Sequence, residues 1–491
     1  MTPPRVLVAP VVALVLSLLT VLLPSVAQAA RPGPAGAGIA LDRDANYSRF
    51  DVATDAAGTA YVGWISSHPG DDLLSQVHVC VLPQGATGCA GGVQTTDALD
   101  RVTAEQLFVV AGADGATLVW HHLAGDSLTG DPMQDRIAAA QVVGGVLRPG
   151  VDVAQAPTSS TLAAVSSGPR GIAAAVVSGP DDEARTVFYY DTVASAPVTV
   201  PAPYSVGDVQ LADDGTSTVM VVSEYAAVGS PVRAAWKPSG SGTWSAFAPV
   251  SGTTTDHGTA RLATSGRGIR LLATAPDRKR GGDQSVIAAW DPKRHRFGKP
   301  VPALPGQTCA TGGRDVSTDA SGRVSSVAIG CDRLALGNHQ TGGVGARTEF
   351  EAGLTSIDTD AQIATLPSGR GWVVWLATER STLVARPIVL PALTREVTRR
   401  TAAGRLRSTV PVSCVPAVDV PVRSRAVATR GWRASRAVVT LDGRVVRRAV
   451  VDASRLAPGS RHVLRAQTVL ARGGERRALR TTTPFRVCPA P

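Results

Sequence analysis

One pattern recurs seven times along the 491 residues: a short apolar run, a polar turn holding a glycine, and a second apolar run. The copies are FDVATDAAGTAYVGW about Gly58, LFVVAGADGATLVW about Gly115, LAAVSSGPRGIAAAVV about Gly171 and DVQLADDGTSTVMVV about Gly215, followed by ARLATSGRGIRLLAT about Gly268, DVSTDASGRVSSVAI about Gly322 and QIATLPSGRGWVVWL about Gly371. Successive glycines lie 57, 56, 44, 53, 54 and 49 residues apart. Solenoid repeats run to about 20–35 residues and four-stranded propeller blades to about 40–50, so the period selects a blade. Second hairpins follow the first, as in QVHVCVLPQGATGC, AAWKPSGSGTW and AAWDPKRHRF, where Pro and Gly mark the turn between two outer strands.

The seventh copy has no fourth strand, because STLVARPIVLPAL runs directly into an Arg-rich stretch. A strand without a sheet of its own, Gly38 to Leu41, lies at the other end of the chain, and pairing it with the last copy closes a ring without free edges. The sequence therefore predicts an all-β chain: a seven-bladed β-propeller over 37–392 closed by strand 38–41, a linker over 393–405, and an Arg-rich β-sandwich over 406–491. Ahead of these, residues 1–29 read as an export signal: Arg5, an apolar run from Val6 to Leu23, and Ala27-Gln28-Ala29 before the cleavage point. No second run of spanning length follows, so the expected product is secreted, carries no transmembrane anchor after cleavage, and is free or associated with the cell envelope.

Six cysteines, Cys80, Cys89, Cys309, Cys331, Cys414 and Cys488, are an even number, which in an exported chain points to disulfides. Cys80 and Cys89 flank one outer hairpin, Cys309 lies in the loop entering the sixth copy and Cys331 ends its second strand, and Cys414 and Cys488 bracket the C-terminal module. None forms a C-x-x-C and His is sparse, so neither a metal nor another cofactor is expected.

Charge divides the chain in two. Of 49 basic residues 45 are Arg, an actinobacterial-like, high-GC coding bias, and from Glu396 onward there are 20 Arg, no Lys and five acids, a formal +15. The preceding residues sum to −5. Within the module RAVVTLDGRVVRRAVV turns at Asp442-Gly443, a pair suited to a type I′ hairpin, and its short strands look like an immunoglobulin-type domain. With one Trp, one Phe and no Tyr, the module lacks platforms for stacked bases, so nucleic acid is disfavoured against an anionic envelope polymer.

The turns bear on function. Asp55 stands three residues before Gly58, Asp319 three before Gly322, and Asp114 directly before Gly115. On these blades the chain resembles, in architecture, the secreted bacterial propellers related in shape to sialidases and their Asp-box repeats, whose S-x-D-x-G-x-T-W spacing none of the three turns matches. The resemblance implies a site of three Arg on separate blades, a Tyr activated by Glu, and an acid. Loops leading into the innermost strands offer Arg49, Arg101 and Arg314, and SEY offers Glu224 and Tyr225, but neighbours on a strand point to opposite faces. The candidate ligand-binding residues are Arg49, Arg101, His121, Tyr204, His257 and Arg314. No catalytic residue is assigned. The function expected is a non-catalytic binding or scaffold protein whose face loops hold a carbohydrate or protein partner, with a sialidase-like glycan hydrolase as the alternative.

Overall fold

The structure is a computed structural model that describes residues 33–43, 50–68, 71–96, 106–113, 115–124, 134–168, 170–179, 186–202, 206–224, 231–240, 242–254, 260–265, 268–276, 283–304, 314–318, 323–330, 333–339, 346–351, 360–366, 368–377, 382–412, 414–415, 418–447 and 449–488. The export-signal reading of 1–29, and Arg49, Arg101, Tyr204, His257, Cys309 and Cys331, lie outside these residues.

Each repeat copy forms the two inner strands of one antiparallel sheet. The first sheet runs outward through Phe50–Thr54, Ala60–His68, Asp71–Leu82 and Gln94–Thr95, and the third through Ser160–Gly168, Gly171–Ser178, Thr186–Tyr190 and Val198–Val200. The innermost strands, Phe50–Thr54, Leu107–Ala111, Ser160–Gly168, Val206–Asp213, Arg261–Ser265, Arg314–Thr318 and Ala361–Thr365, touch one another in that order, and the last touches the first. Sheets set radially about an axis with their inner strands in a closed cycle are a β-propeller.

Period-two patterning explains why the ring holds. Alternate residues of each strand pack on the sheet before and the sheet after, so there is no single core, and every sheet-to-sheet contact has its own apolar cluster. Tyr61 and Trp64, three apart on one strand, go opposite ways. Tyr61 joins Val109 and Leu118 of the next sheet, and Trp64 joins Leu41, Trp372 and Leu383 on the other side. Asp55 receives the Thr59 amide at 2.9 Å and the Tyr61 hydroxyl at 3.1 Å, so it secures the first turn.

The sheet of Ala361–Thr365, Arg370–Ala377 and Thr382–Val389 is completed from the N-terminal side. Ile39–Asp42 pairs antiparallel with Thr382–Val389, Ile39 opposite Ala385, and Gly33–Pro34 pairs with the far end of the same strand. The turn in this copy sits two residues earlier than the alignment on Gly371 implied. Gly369 takes the turn, at φ 77°, whereas Gly371 is a strand residue opposite Thr365 whose missing Cβ leaves room for the Ala364 carbonyl. Cys80 is bonded to Cys89 beside the outer hairpin of the first sheet.

The stretch read as a linker is structured. Thr394–Thr401 pairs residue for residue with Gly404–Pro411, because Ala402 and Ala403 suffice for a tight turn and buried residues alternate through Leu406, Ser408 and Val410. This hairpin and Ser424–Ala428 make one sheet, and the long hairpin Arg461–Arg472/Glu475–Val487 with Val438–Leu441 makes the body of a second. Leu406 from the first packs with Ala466, Leu470 and Leu479 from the second. At Asp442 and Gly443 φ is 49° and 86°, the left-handed pair that a type I′ turn requires. Cys414 is bonded to Cys488 and lies beside Arg486 in a parallel pairing.

The module is packed onto the ring. Val389 and Ala392 share a cluster with Val410, Val415 and Phe485, and Asn338 Nδ2 donates to the Pro391 carbonyl at 2.8 Å. Arg323, from the sixth repeat copy, is 1 % exposed and aims Nη2 at the Cys414 carbonyl, 3.2 Å away, and at both sulfurs of the 414–488 disulfide.

Candidate functional site

The innermost strands enclose a channel of about 370 Å3. Aligning the repeat copies puts one residue of each at the same level of its wall: Asp51, Phe108, Ala163, Asp208, Arg261, Asp315 and Gln362, with Gln210 beside them. Four of these groups ionise, three carboxyls and one guanidinium.

Each has a partner in the wall. Asp51 receives the amide of Val52 at 2.8 Å and, from the neighbouring inner strand, the amide of Val109 at 2.7 Å. Asp315 receives the amide of Ile363 at 2.8 Å, again from the next strand. Arg261 lies 3.4 Å from Asp208 of the preceding strand. Ser317 receives the Thr365 amide at 3.2 Å, and Thr318 donates to the Thr264 carbonyl. Inner strands of adjacent sheets share no ladder, so these side chains supply the amides there with acceptors.

The carboxyls are displaced in acidity. Burial pushes Asp51 up to about 7, against the amide bonds of Val109 and Val52, with the charge of Asp315 adding to the rise. Burial likewise raises Asp315 to about 6. Their protons are therefore held nearer neutrality than a solvated carboxyl's. The described channel wall contains no Tyr, Glu, His or Cys, and no three His, Cys, Asp or Glu side chains among the described residues are grouped as a metal would need.

The candidate residues fare differently. Arg314 opens an inner strand, immediately before Asp315. His121 is 2 % exposed, with Nε2 3.0 Å from Asp135, and its burial lowers its proton affinity, so it is closed to a ligand. His122 takes a different carboxylate, Asp152, at 2.7 Å. Glu224 ends a strand, and Tyr225 falls outside the described residues. Arg49, Arg101, Tyr204 and His257 lie outside the described residues; in the sequence each precedes an inner strand.

Two buried cations escaped sequence reasoning. Lys237, 2 % exposed, spans from the fourth sheet to Asp191 of the third at 2.9 Å, with Nζ 4.3 Å from the centre of the Tyr189 ring. Tyr189 donates to the same carboxylate at 3.0 Å. Arg323 is the other. The signal for Lys237 was its place in AAWKP, one residue after a strand Trp, and Arg323 follows the sixth copy's glycine.

Fold and channel place the molecule in the class of β-propeller proteins. No family model matches the chain, and no curated protein does. Among solved structures it is similar to the β-propeller domain of the Trilobed protease from Pyrococcus furiosus, at 10% identity and TM-score 0.42 over 70% of this chain and 94% of that one. It is similar to Penicillium chrysogenum alpha-L-arabinanase complexed with arabinobiose, at 9% identity and TM-score 0.41 over 72% and 97%. A Mycobacterium tuberculosis puromycin-hydrolyzing peptidase matches at 14% identity and TM-score 0.44 over 79% of this chain and 62% of that one.

Proposed function

We propose that the chain is an exported, seven-bladed propeller protein with an immunoglobulin-like C-terminal module, and that it binds rather than turns over its partner. The observation that carries this reading is the use of Asp51, Asp208, Arg261 and Asp315 as fasteners between inner strands. Asp51 and Asp315 accept amides of the adjacent strand and Asp208 pairs with Arg261, so the charged groups of the described wall serve contacts between strands. Recognition then belongs to the loops that lead into the inner strands, to which Arg49, Arg101, Tyr204 and His257 belong in the sequence, while the basic module favours an anionic envelope polymer. A carbohydrate or protein partner fits such loops. Among the described residues no helix is long and apolar enough to cross a membrane, and the two disulfides accord with an oxidising compartment.

The test is to immobilise the full-length protein, pass the producer's fractionated envelope over it, and assay the same preparation on aryl glycosides, sialosides included. Capture that Arg49→Ala with Arg101→Ala abolishes, and no turnover above the enzyme-free rate, are the expected results. Hydrolysis of any glycoside that the double variant loses would overturn the binding reading.

A further inference from the structure

The module's larger sheet has a buried face and an outward one. On the central hairpin Leu464, Ala466, Leu470, Leu479 and Phe485 point inward, so the residues between them face out. At one end of this outward face Arg461 stands opposite Arg486. Along the strands follow Arg465, opposite Thr482, and then Arg480, opposite Gln467. At the far end Arg476 stands opposite Ala471, which Arg433 flanks on its other side. Ten residues separate the level of Arg461 from that of Ala471, a stripe about 34 Å long at roughly 3.4 Å per residue.

Of the module's five acids only Asp442 comes near this face: its carboxylate accepts the Val463 amide at 2.8 Å, and, against burial, the charge of Arg465 helps to lower its proton affinity after the bonds from His462 and Val463. Four pair locally: Glu396 with Arg407 at 3.6 Å, Asp442 with His462 at 2.7 Å, Asp452 with Arg455 at 2.8 Å and Glu475 with Arg477 at 2.7 Å. None of the six arginines on the stripe forms an ion pair among the described residues; Arg480 reaches only Gln467 and Arg486 only the Gly459 carbonyl. A coding bias toward Arg explains the residue type but not this separation of acids from bases.

We propose that this face docks an extended phosphodiester polymer laid along the strands. The inference rests on the reading of the module as a polyanion-binding part. Guanidinium forks pair two-pronged with phosphate oxygens, and six in a stripe engage successive phosphates of one chain rather than a single ion. Between them stand Val463, Val469, Ala478, Thr482 and Pro484, short side chains with no Trp, Tyr, Phe, Leu or Ile to enter a bilayer interface. The same lack of aromatic rings leaves nucleic-acid bases nothing to stack on, so recognition follows the backbone charge.

The test uses the full-length protein with linear inorganic polyphosphate as the probe, titrated at several salt concentrations. The variant R465Q/R476Q/R480Q removes three charges from the stripe, and R395Q/R399Q/R400Q removes three from the exposed edge strand of the smaller sheet. Equal melting temperatures establish that both fold. The stripe variant is expected to bind at least tenfold more weakly and to lower the slope of log K against log salt by about 2, at roughly 0.7 for each phosphate no longer neutralised. The edge variant is expected to change affinity less than threefold. Equal weakening in the two variants overturns the face but leaves a diffuse polyanion-binding module standing, whereas no salt-dependent binding by the parent protein overturns both. Phosphatidylglycerol vesicles form a second arm: binding them more tightly than polyphosphate, with the same weakening in the stripe variant, assigns the face to a membrane and overturns the polymer.

Discussion

The charged residues of the ring act between sheets more than within them, and their protonation shows it. Asp51 and Asp315 hold their protons more tightly in the folded chain than in the unfolded one. Their contribution to stability is therefore complete below about pH 4 and is lost as pH rises through about 6 for Asp315 and about 7 for Asp51. Asp51→Asn removes one share of that loss: its unfolding free energy relative to the parent should rise by on the order of 2 kcal/mol between pH 4 and pH 7.5. Denaturant titrations across that range check it, and a flat difference would mean that Asp51 ionises as an ordinary carboxyl. Lys237 makes a second case. Asp191→Ala strips a buried ammonium of its carboxylate and should cost about 3 kcal/mol, whereas Lys237→Met, which keeps the packing on Tyr189, should cost less than half as much. Urea midpoints of the two variants in the reverse order would refute this account.

At the scale of the element, the strand that matters most pairs with one at the opposite end of the ring's sequence. Ile39–Asp42 covers what would otherwise be the open edge of Thr382–Val389, and Leu41 is buried against Phe50, Trp64 and Trp372. Leu41→Ala should lower stability by roughly 2–5 kcal/mol, and Leu41→Asp should in addition release the edge and drive concentration-dependent self-association, seen by light scattering. Monomeric, fully stable L41D would show that the strand is dispensable. Much of this was readable beforehand, because the pairing of an apolar run with a glycine turn is a local signal repeated at a near-constant interval. The hairpin Thr394–Thr401/Gly404–Pro411 was hidden since its outward positions are mostly Arg and Thr and only one strand carries the alternation. The turn at Gly369 was missed for a similar reason: two glycines, Gly369 and Gly371, compete in SGRG, and only close approach of the Ala364 carbonyl distinguishes their roles. The wall of the channel was half legible. The column through Asp51, Arg261 and Asp315 follows from aligning the copies, but that their oxygens accept amides of the adjacent strand depends on how inner strands are staggered. His121 stood as a ligand candidate, and tertiary packing instead gave it and His122 each its own carboxylate.

At the scale of the whole molecule, the ring and the module share a wall. Arg323→Ala leaves a hole beside the disulfide and removes the donor to the Cys414 carbonyl. We expect calorimetry of this variant to resolve two unfolding steps where the parent shows one; a single step shifted as a whole would mean that Val389 and Ala392 alone couple the parts. The closing strand bears on how the protein comes into being. Ile39 emerges from the ribosome about 350 residues before Ala385, its partner, an interval of roughly 20–70 s at about 5–20 residues per second. Throughout that time the first sheet has one uncovered flank, with Phe50 and Trp64 exposed where Trp372 will later stand. A chain built this way profits from being held extended until synthesis ends, and translocation through a narrow pore, followed by folding from both termini at once on the far side, is a route that never presents the half-made ring to its neighbours.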